Sequence, residues 1–507
     1  MENVWKVNVK LNKYKRIASL AKGAQFMVKK SLVILLSFVF LLSIVSTTHS
    51  QTSDFEEFVA QMMLQRNVAG VSIARIESGE IVEQFALSHP DLDSSSLTKD
   101  SVFQVGSISK PVAAWTVMTL VRDGKVELGA PISRYVSSWS LPPSNFDADQ
   151  VTVSRLLSHT AGLSLHGYPG FAQEIPLPTT QNSLSGETNG AGRVELVMAP
   201  GEQFKYSGGG YTLLQLMIEE VTGVPFSQYA THAVLKPLGM ESSSYEPNAK
   251  LRAKRAQPYI QLTPMDYFEF RAQAAASLHS TAHDLATFVL ANMQSNPVLS
   301  ADLKQKMHTG VKDIGSRQVG LGFFIDPKAN TVGHNGANQG WRAELIFNPE
   351  LNSGLVVLAN SDNASFFIQQ IRCQWDKQFS NGAMQESCQA QMIQHNSQQS
   401  IFNLMMWGLI VMSLALLIFR VISVKRGKTQ IGLPSSKIRW ALIVLFAILI
   451  CAAVVLMHTP LGVLLIAGIK TTLSAVDFFP EGMSKVLLTV YGLLLCLLLF
   501  NFARRPV

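Results

Sequence analysis

The apolar residues of this chain gather in long runs near its two ends, leaving residues 51–400 as a stretch that must fold in water. The first run, 31–45 (SLVILLSFVFLLSIV), follows Lys29-Lys30 and precedes the small polar residues STTHSQ. A basic flank, a short apolar run and a small-residue zone are the features of a secretory signal or an uncleaved anchor. Three further runs, 402–424, 440–457 and 486–502, approach the ~20 residues needed to cross a hydrocarbon core. The first two are joined by a segment carrying Lys425, Arg426, Lys428, Lys437 and Arg439, and the last is followed by Arg504-Arg505. Positive charge favours the cytoplasmic side, so three spans predict an outside start and an inside end. The expected organisation is therefore an extension and signal at 1–50 and a folded domain at 51–385. A linker at 386–400 and a three-helix transmembrane bundle at 401–507 complete it. The domain would face the periplasm or exterior of a bacterial-type cytoplasmic membrane, with the lipid bilayer as a partner.

That partition changes the meaning of the charge. The whole chain is +7 with a pI near 9.1, but residues 51–400 hold 24 Lys and Arg against 32 Asp and Glu, a net of −8. The basic excess lies at the membrane flanks, so no nucleic-acid partner is expected. Cys451 and Cys496 fall inside apolar runs, whereas Cys373 and Cys388 stand in the outside domain, where a disulfide between them is expected. No Cys or His spacing suggests a metal site.

Within the domain, VSIARI from Val71, a Glu-Ser-Gly-Glu turn and IVEQFAL predict a β-hairpin. GLGFFID, WRAELIF and GLVVLAN predict three more strands far along the chain. Strands at both ends with helices between them predict one sheet built from the two termini, in an α/β (α+β) fold whose intervening helices pack on the sheet's faces or form an inserted helical lobe. Helices are expected over 107–122, over 211–221 with a Gly223 stop, and from the capping-box-like Thr281 onward. Residues 165–193 form a long Gly-, Ser- and Pro-rich stretch of the kind that makes functional lids.

The segment VFQVGSISKPVAAW places Ser107 and Lys110 one helical turn apart at the head of an apolar helix. A serine hydroxyl needs a base before it attacks a carbonyl, and lysine serves only if burial lowers its pKa. A helix amino terminus at Ser107 favours the alkoxide. S-x-x-K by itself is a common word; four other motifs add to it. They are LLSHTAGLS, PGEQFKYSGGGYTLL, SLHSTAHDLATF and VGHNGANQGW, in that order.

Together these resemble the serine β-lactamase and penicillin-binding family over roughly residues 55–370, most closely its class C, D-aminopeptidase and esterase branch. The resemblance implies a β-lactamase-like antiparallel sheet flanked by helices. It also implies Ser107 as the acylated nucleophile, Lys110 as its base and Tyr206, from the Y-x-N motif, as the second proton-transfer group. His334, Asn335 and Gly336 occupy the third motif and, with Gly208, would bind substrate. The backbone N–H groups of Ser107 and Ala337 would form the oxyanion hole. Two positions depart from the pattern: Gly208 replaces the asparagine of Y-x-N, and His334 stands where many members have lysine. The first removes an amide for the substrate's amide, and the second weakens binding of a substrate carboxylate. His159 is expected to satisfy backbone groups, and Gly208–Gly210 to form a tight turn. No partner is evident for His166 or His308.

The expected activity is a membrane-anchored serine hydrolase cleaving an amide or ester of a small molecule or peptide through an acyl-enzyme. A D-amino-acid peptidase or esterase is favoured over a true β-lactamase or D-Ala-D-Ala carboxypeptidase. No cofactor or metal is expected, and the sequence leaves the oligomeric state open. The rivals from other classes are a non-hydrolytic sensor signalling through its transmembrane helices and a channel or transporter formed by them.

Overall fold

A two-residue loop, Ser78-Gly79, returns the chain between β1 (Gly70–Glu77) and β2 (Glu80–Ser88). Both loop residues have positive φ, 50° and 81°, as a hairpin matched to strand twist requires. The computed structural model describes residues 53–92 and 97–426, together with 430–431 and 503–504; from 398 onward only some side chains are included. The chain divides into two units at Phe58/Val59. Of the first, only the start of helix α1 (Asp54–Arg66) is described. Everything below concerns the second.

Six more strands complete an antiparallel sheet: β3 (Lys312–Ile314), β4 (Arg317–Val319), β5 (Phe324–Asp326), β6 (Thr331–Asn338), β7 (Trp341–Asn348) and β8 (Ser353–Ala359). Their order is β2-β1-β8-β7-β6-β5-β4-β3. β1 pairs with β8, Ile73 opposite Val357, so the two ends of the domain close the sheet as expected. β8 is buried along its whole length; a strand covered on both faces reads as a continuous apolar run, here GLVVLA. The short β3 and β4 had no signal in the sequence.

Between β2 and β3 the chain makes the helical lobe, with α2 (Ser109–Arg122), α3 (Gly208–Thr222) and α4 (Ala282–Met293). α2 is buried from Ser109 to Leu120, the condition of a helix apolar all round. Trp115 donates to Asn292 of α4 at 3.1 Å. α3 ends at Gly223, left-handed at φ 72°, and Thr281 caps α4 by accepting from the Asp284 amide. Both boundaries follow the expected signals.

On the sheet's other face lie α5 (Ser365–Phe379) and α6 (Gln385–Lys425), joined by the Cys373–Cys388 disulfide. The polar stretch expected as a linker is helical, because α6 runs unbroken through 386–400. It continues through the apolar run at 402–424. Among the described residues no helix is long and apolar enough to cross a membrane, so the transmembrane bundle finds no support in the structure. The runs at 31–45, 440–457 and 486–502 lie outside the described residues.

Candidate active site

Ser107 does not belong to α2 itself. It sits in a 3-10 turn, Gly106–Ile108, and the α-helix begins at Ser109. The tighter turn keeps residues three apart aligned, and the Lys110 amine donates to Ser107 Oγ at 3.0 Å. It also donates to the Ala275 carbonyl at 2.8 Å. Lys110 is only 2% exposed, and burial brings its pKa down to about 7. Burial thus favours the uncharged amine, which can hold the Ala275 carbonyl while offering its lone pair to the serine proton.

Tyr206 lies just before α3, whose amino terminus is capped by Ser207 accepting from the Gly210 amide at 2.9 Å. Its hydroxyl hydrogen-bonds Ser107, and burial keeps it above its ordinary pKa, as a neutral phenol. The Lys110 amine stands 4.8 Å from the Tyr206 ring centroid. Ser107, Lys110 and Tyr206 are thus within one hydrogen-bonded group. His159 lies beneath, its ring 4.2 Å from that of Tyr206. Its Nδ1 accepts from the Ser207 amide at 3.1 Å, the backbone-satisfying place expected of it.

β6 forms the opposite wall. Its pairing with β5 ends at Gly333, so beyond that point its outer N–H groups have no strand to meet. The 3-10 turn fills part of that edge. A Cβ on Gly336 would stand 2.0 Å from the Val105 carbonyl, and one on Gly106, at φ +52°, 2.6 Å from the Ala337 nitrogen. Only glycines allow two backbones this close, and the approach sets the 3-10 turn that carries Ser107 against the stretch of β6 that carries Ala337. His334 faces the same side, its ring 6.2 Å from that of Tyr206. Burial first, and Lys110 second, pull its pKa down to about 3.

Two expectations need correction. Asn335 is opposite Glu344 in register and, by strand alternation, turns away from Ser107 toward the α5 face. There it lines a cavity of about 730 Å³ behind β6, with Glu344, Arg372 and Gln391. Gly336 and Gly208 both serve close backbone packing. Gly208–Gly210 is no tight turn but the first turn of α3. A Cβ on Gly208 would lie 3.0 Å from the His166 carbonyl. Two features escaped the sequence reading. Ala275 contributes a backbone oxygen, which no side chain announces. His166, 40 residues before Tyr206, brings its ring to 4.8 Å from it; the signal available was the glycine at 208, which leaves room for a neighbouring loop.

Among the described residues no group of His, Cys, Asp and Glu could hold a metal. The arrangement is suited to acyl transfer: a nucleophile, a desolvated base, a phenol to pass protons and two amides for an oxyanion.

A family model for β-lactamases matches residues 55–372. The chain belongs to the β-lactamase family, and the fold and relatives make it a serine hydrolase of that family. It is 22% identical to "Protein flp" of Staphylococcus aureus (strain NCTC 8325 / PS 47) over 469 residues, 89% of this chain and 91% of that protein. It is 26% identical to "Esterase EstB" of Burkholderia gladioli over 195 residues, 36% of this chain and 49% of the esterase. Among solved structures, the octameric penicillin-binding protein homologue from Pyrococcus abyssi aligns with TM-score 0.53 at 27% identity, over 61% of this chain and 73% of its own. A class C β-lactamase aligns with TM-score 0.50 at 23% identity, over 62% of this chain and 93% of its own.

Proposed function

We propose that the protein is a Ser107 acyl-enzyme hydrolase acting on esters or amides whose acyl part carries no carboxylate, as an esterase or D-amino-acid peptidase. The observation that carries the reading is the buried Lys110, brought to about pKa 7 and hydrogen-bonded to Ser107. The neutral Lys110 amine takes the Ser107 proton as Oγ bonds to the substrate carbonyl carbon. The Ser107 and Ala337 amides hold the oxyanion. Lys110, now an ammonium, returns the proton through Tyr206 to the leaving oxygen or nitrogen as its bond to carbon breaks. Water then attacks the acyl-serine, giving its proton to the same relay, and Ser107 leaves reprotonated.

The preference for acyl groups without a carboxylate follows from what borders the serine. His334, where many relatives have a lysine, is held neutral, and Gly208 offers no side-chain amide. The partial similarity to an esterase agrees with this. The apolar runs, their basic flanks and a disulfide suited to an oxidising compartment favour a membrane-tethered protein with its catalytic domain outside. Intact-mass spectrometry after exposure to short-chain p-nitrophenyl esters, D-amino-acid amides and β-lactams tests the reading. An acyl adduct and turnover with an ester or D-amino-acid amide are expected, and Ser107→Ala should give neither. Adducts on Ser107→Ala, or turnover of β-lactams alone, would sink it.

A further inference from the structure

The loop before α3 is bound to that helix in a way that puts one unassigned side chain at the mouth of the site. The first amides of a helix lack partners within it, and here the loop supplies them. Gly208 N donates to the His166 carbonyl at 3.0 Å and Gly209 N to the Leu165 carbonyl at 3.1 Å. Ser207 Oγ donates to the Ser164 carbonyl at 2.6 Å. Side chains here would prevent the docking: a Cβ on Gly209 would lie 2.6 Å from Val194 Cγ2, and one on Gly208 3.3 Å from the Tyr168 ring. Leu165, left-handed at φ 64°, turns the chain, and the Tyr168 hydroxyl is anchored on Thr212 at 2.6 Å.

The result is a fixed place for His166. His166 is an exposed residue whose ring is tilted by 42° over that of Tyr206, with the centroids 4.8 Å apart. Its nitrogens have no hydrogen-bond partner among the described residues. Burial first, and the nearby Lys110 and Lys205 second, hold its pKa below the ordinary value. A neutral imidazole presents one donor and one acceptor, the complement of a secondary amide.

Resting on the Ser107 reading above, we propose that His166 is a substrate-contacting specificity residue. Its imidazole hydrogen-bonds an amide lying beside the scissile carbonyl, where Gly208 has no side chain to offer. The favoured substrates are then N-acylamino-acyl esters or amides rather than plain alkanoyl esters.

Two variants of the full chain separate this contact from mere packing on Tyr206. His166→Phe keeps a stacking ring and removes donor and acceptor; His166→Gln keeps donor and acceptor and removes the ring. The readout is the ratio of kcat/KM for the p-nitrophenyl ester of N-acetyl-D-alanine to that for p-nitrophenyl butyrate. In His166→Phe the ratio should fall about tenfold, the equivalent of one lost hydrogen bond, and His166→Gln should restore most of it. An unchanged ratio in His166→Phe, or an equal fall in both variants, would overturn the proposal. If the unaltered protein hydrolyses neither ester, the ester reading itself has failed. The contact is then read by protection of Ser107 from a fluorophosphonate by N-acetyl-D-alaninamide. Protection in the unaltered protein and His166→Gln but not in His166→Phe supports the contact, and absence of protection in the unaltered protein overturns it.

Discussion

Lys110 is a buried amine whose pKa falls from 10.5 to about 7 through burial alone. That shift is also a statement about stability. The unfolded chain binds this proton below about pH 10.5, the folded chain only below about 7. Between those values the unfolded state holds more protons, so stability rises with pH. The penalty is fully present below pH 7 and fades toward 10.5, and its size is about 5 kcal/mol at most. Lys110→Met, similar in length and uncharged, should abolish acylation yet raise stability at pH 7. Subtracting two hydrogen bonds at about 1 kcal/mol each leaves a gain of about 3 kcal/mol. Urea unfolding at pH 7 and pH 9.5 checks this: the gain should shrink at the higher pH, and a variant no more stable at either pH would refute it. In the unaltered protein the acylation rate should climb through pH 7 and level off above about 8 as the free amine fills. The pairing of Ser107 with Lys110 was legible because it is local, one turn apart on one face. Ala275, His166 and the turned-away Asn335 were not, since a backbone oxygen, a folded-over loop and a strand's register leave no mark in a short word.

A strand and a turn meet without side chains between them where the Ser107 and Ala337 amides are proposed to form an oxyanion hole. Gly336→Ala would put a methyl group 2.0 Å from the Val105 carbonyl, so β6 and the 3-10 turn must part. The distance between the Ser107 and Ala337 amides then grows, and the loss should resemble that of one oxyanion donor, on the order of 10²- to 10³-fold in kcat. KM should move much less. Gly129→Ala, where an added Cβ meets nothing within 4 Å, should retain near-normal kcat and serves as the reference. A Gly336→Ala enzyme with kcat within threefold of that reference would mean the two backbones do not set the hole. Most elements were legible: the hairpin from its Ser-Gly turn, β8 from its apolar run, α3 and α4 from their caps. Helix α6 through 386–400 was less so. Its glutamines have good helix propensity, but the segment lacks the apolar period that usually marks a packed helix.

Across the whole molecule, the sheet separates two territories. One face carries α2, α4 and the Ser107 site. The other carries α5, where Arg372 contacts Glu344 at 3.3 Å, and the disulfide from Cys373 to Cys388 at the start of α6. The long apolar runs and their flanking charge did not announce the continuity of α6 from the domain into the run at 402–424. That continuity depends on how α6 begins: Met384 N and Gln385 Nε2 both donate to Asp376 Oδ2 of α5, each at 3.0 Å, and the disulfide closes the same corner. A crosslink spanning 15 residues contributes about 3 kcal/mol by restricting the unfolded chain. Because this corner lies across the sheet from Ser107, its loss should be felt in stability and not in acylation. Replacing Cys373 and Cys388 together by alanine should lower the unfolding free energy by about that amount, while fluorophosphonate labelling of Ser107 stays within about threefold. Reduction of the unaltered protein by a thiol should reproduce the destabilisation. If labelling instead fell in step with stability, the two faces would be coupled through β6, whose residues border both the serine and the cavity behind it.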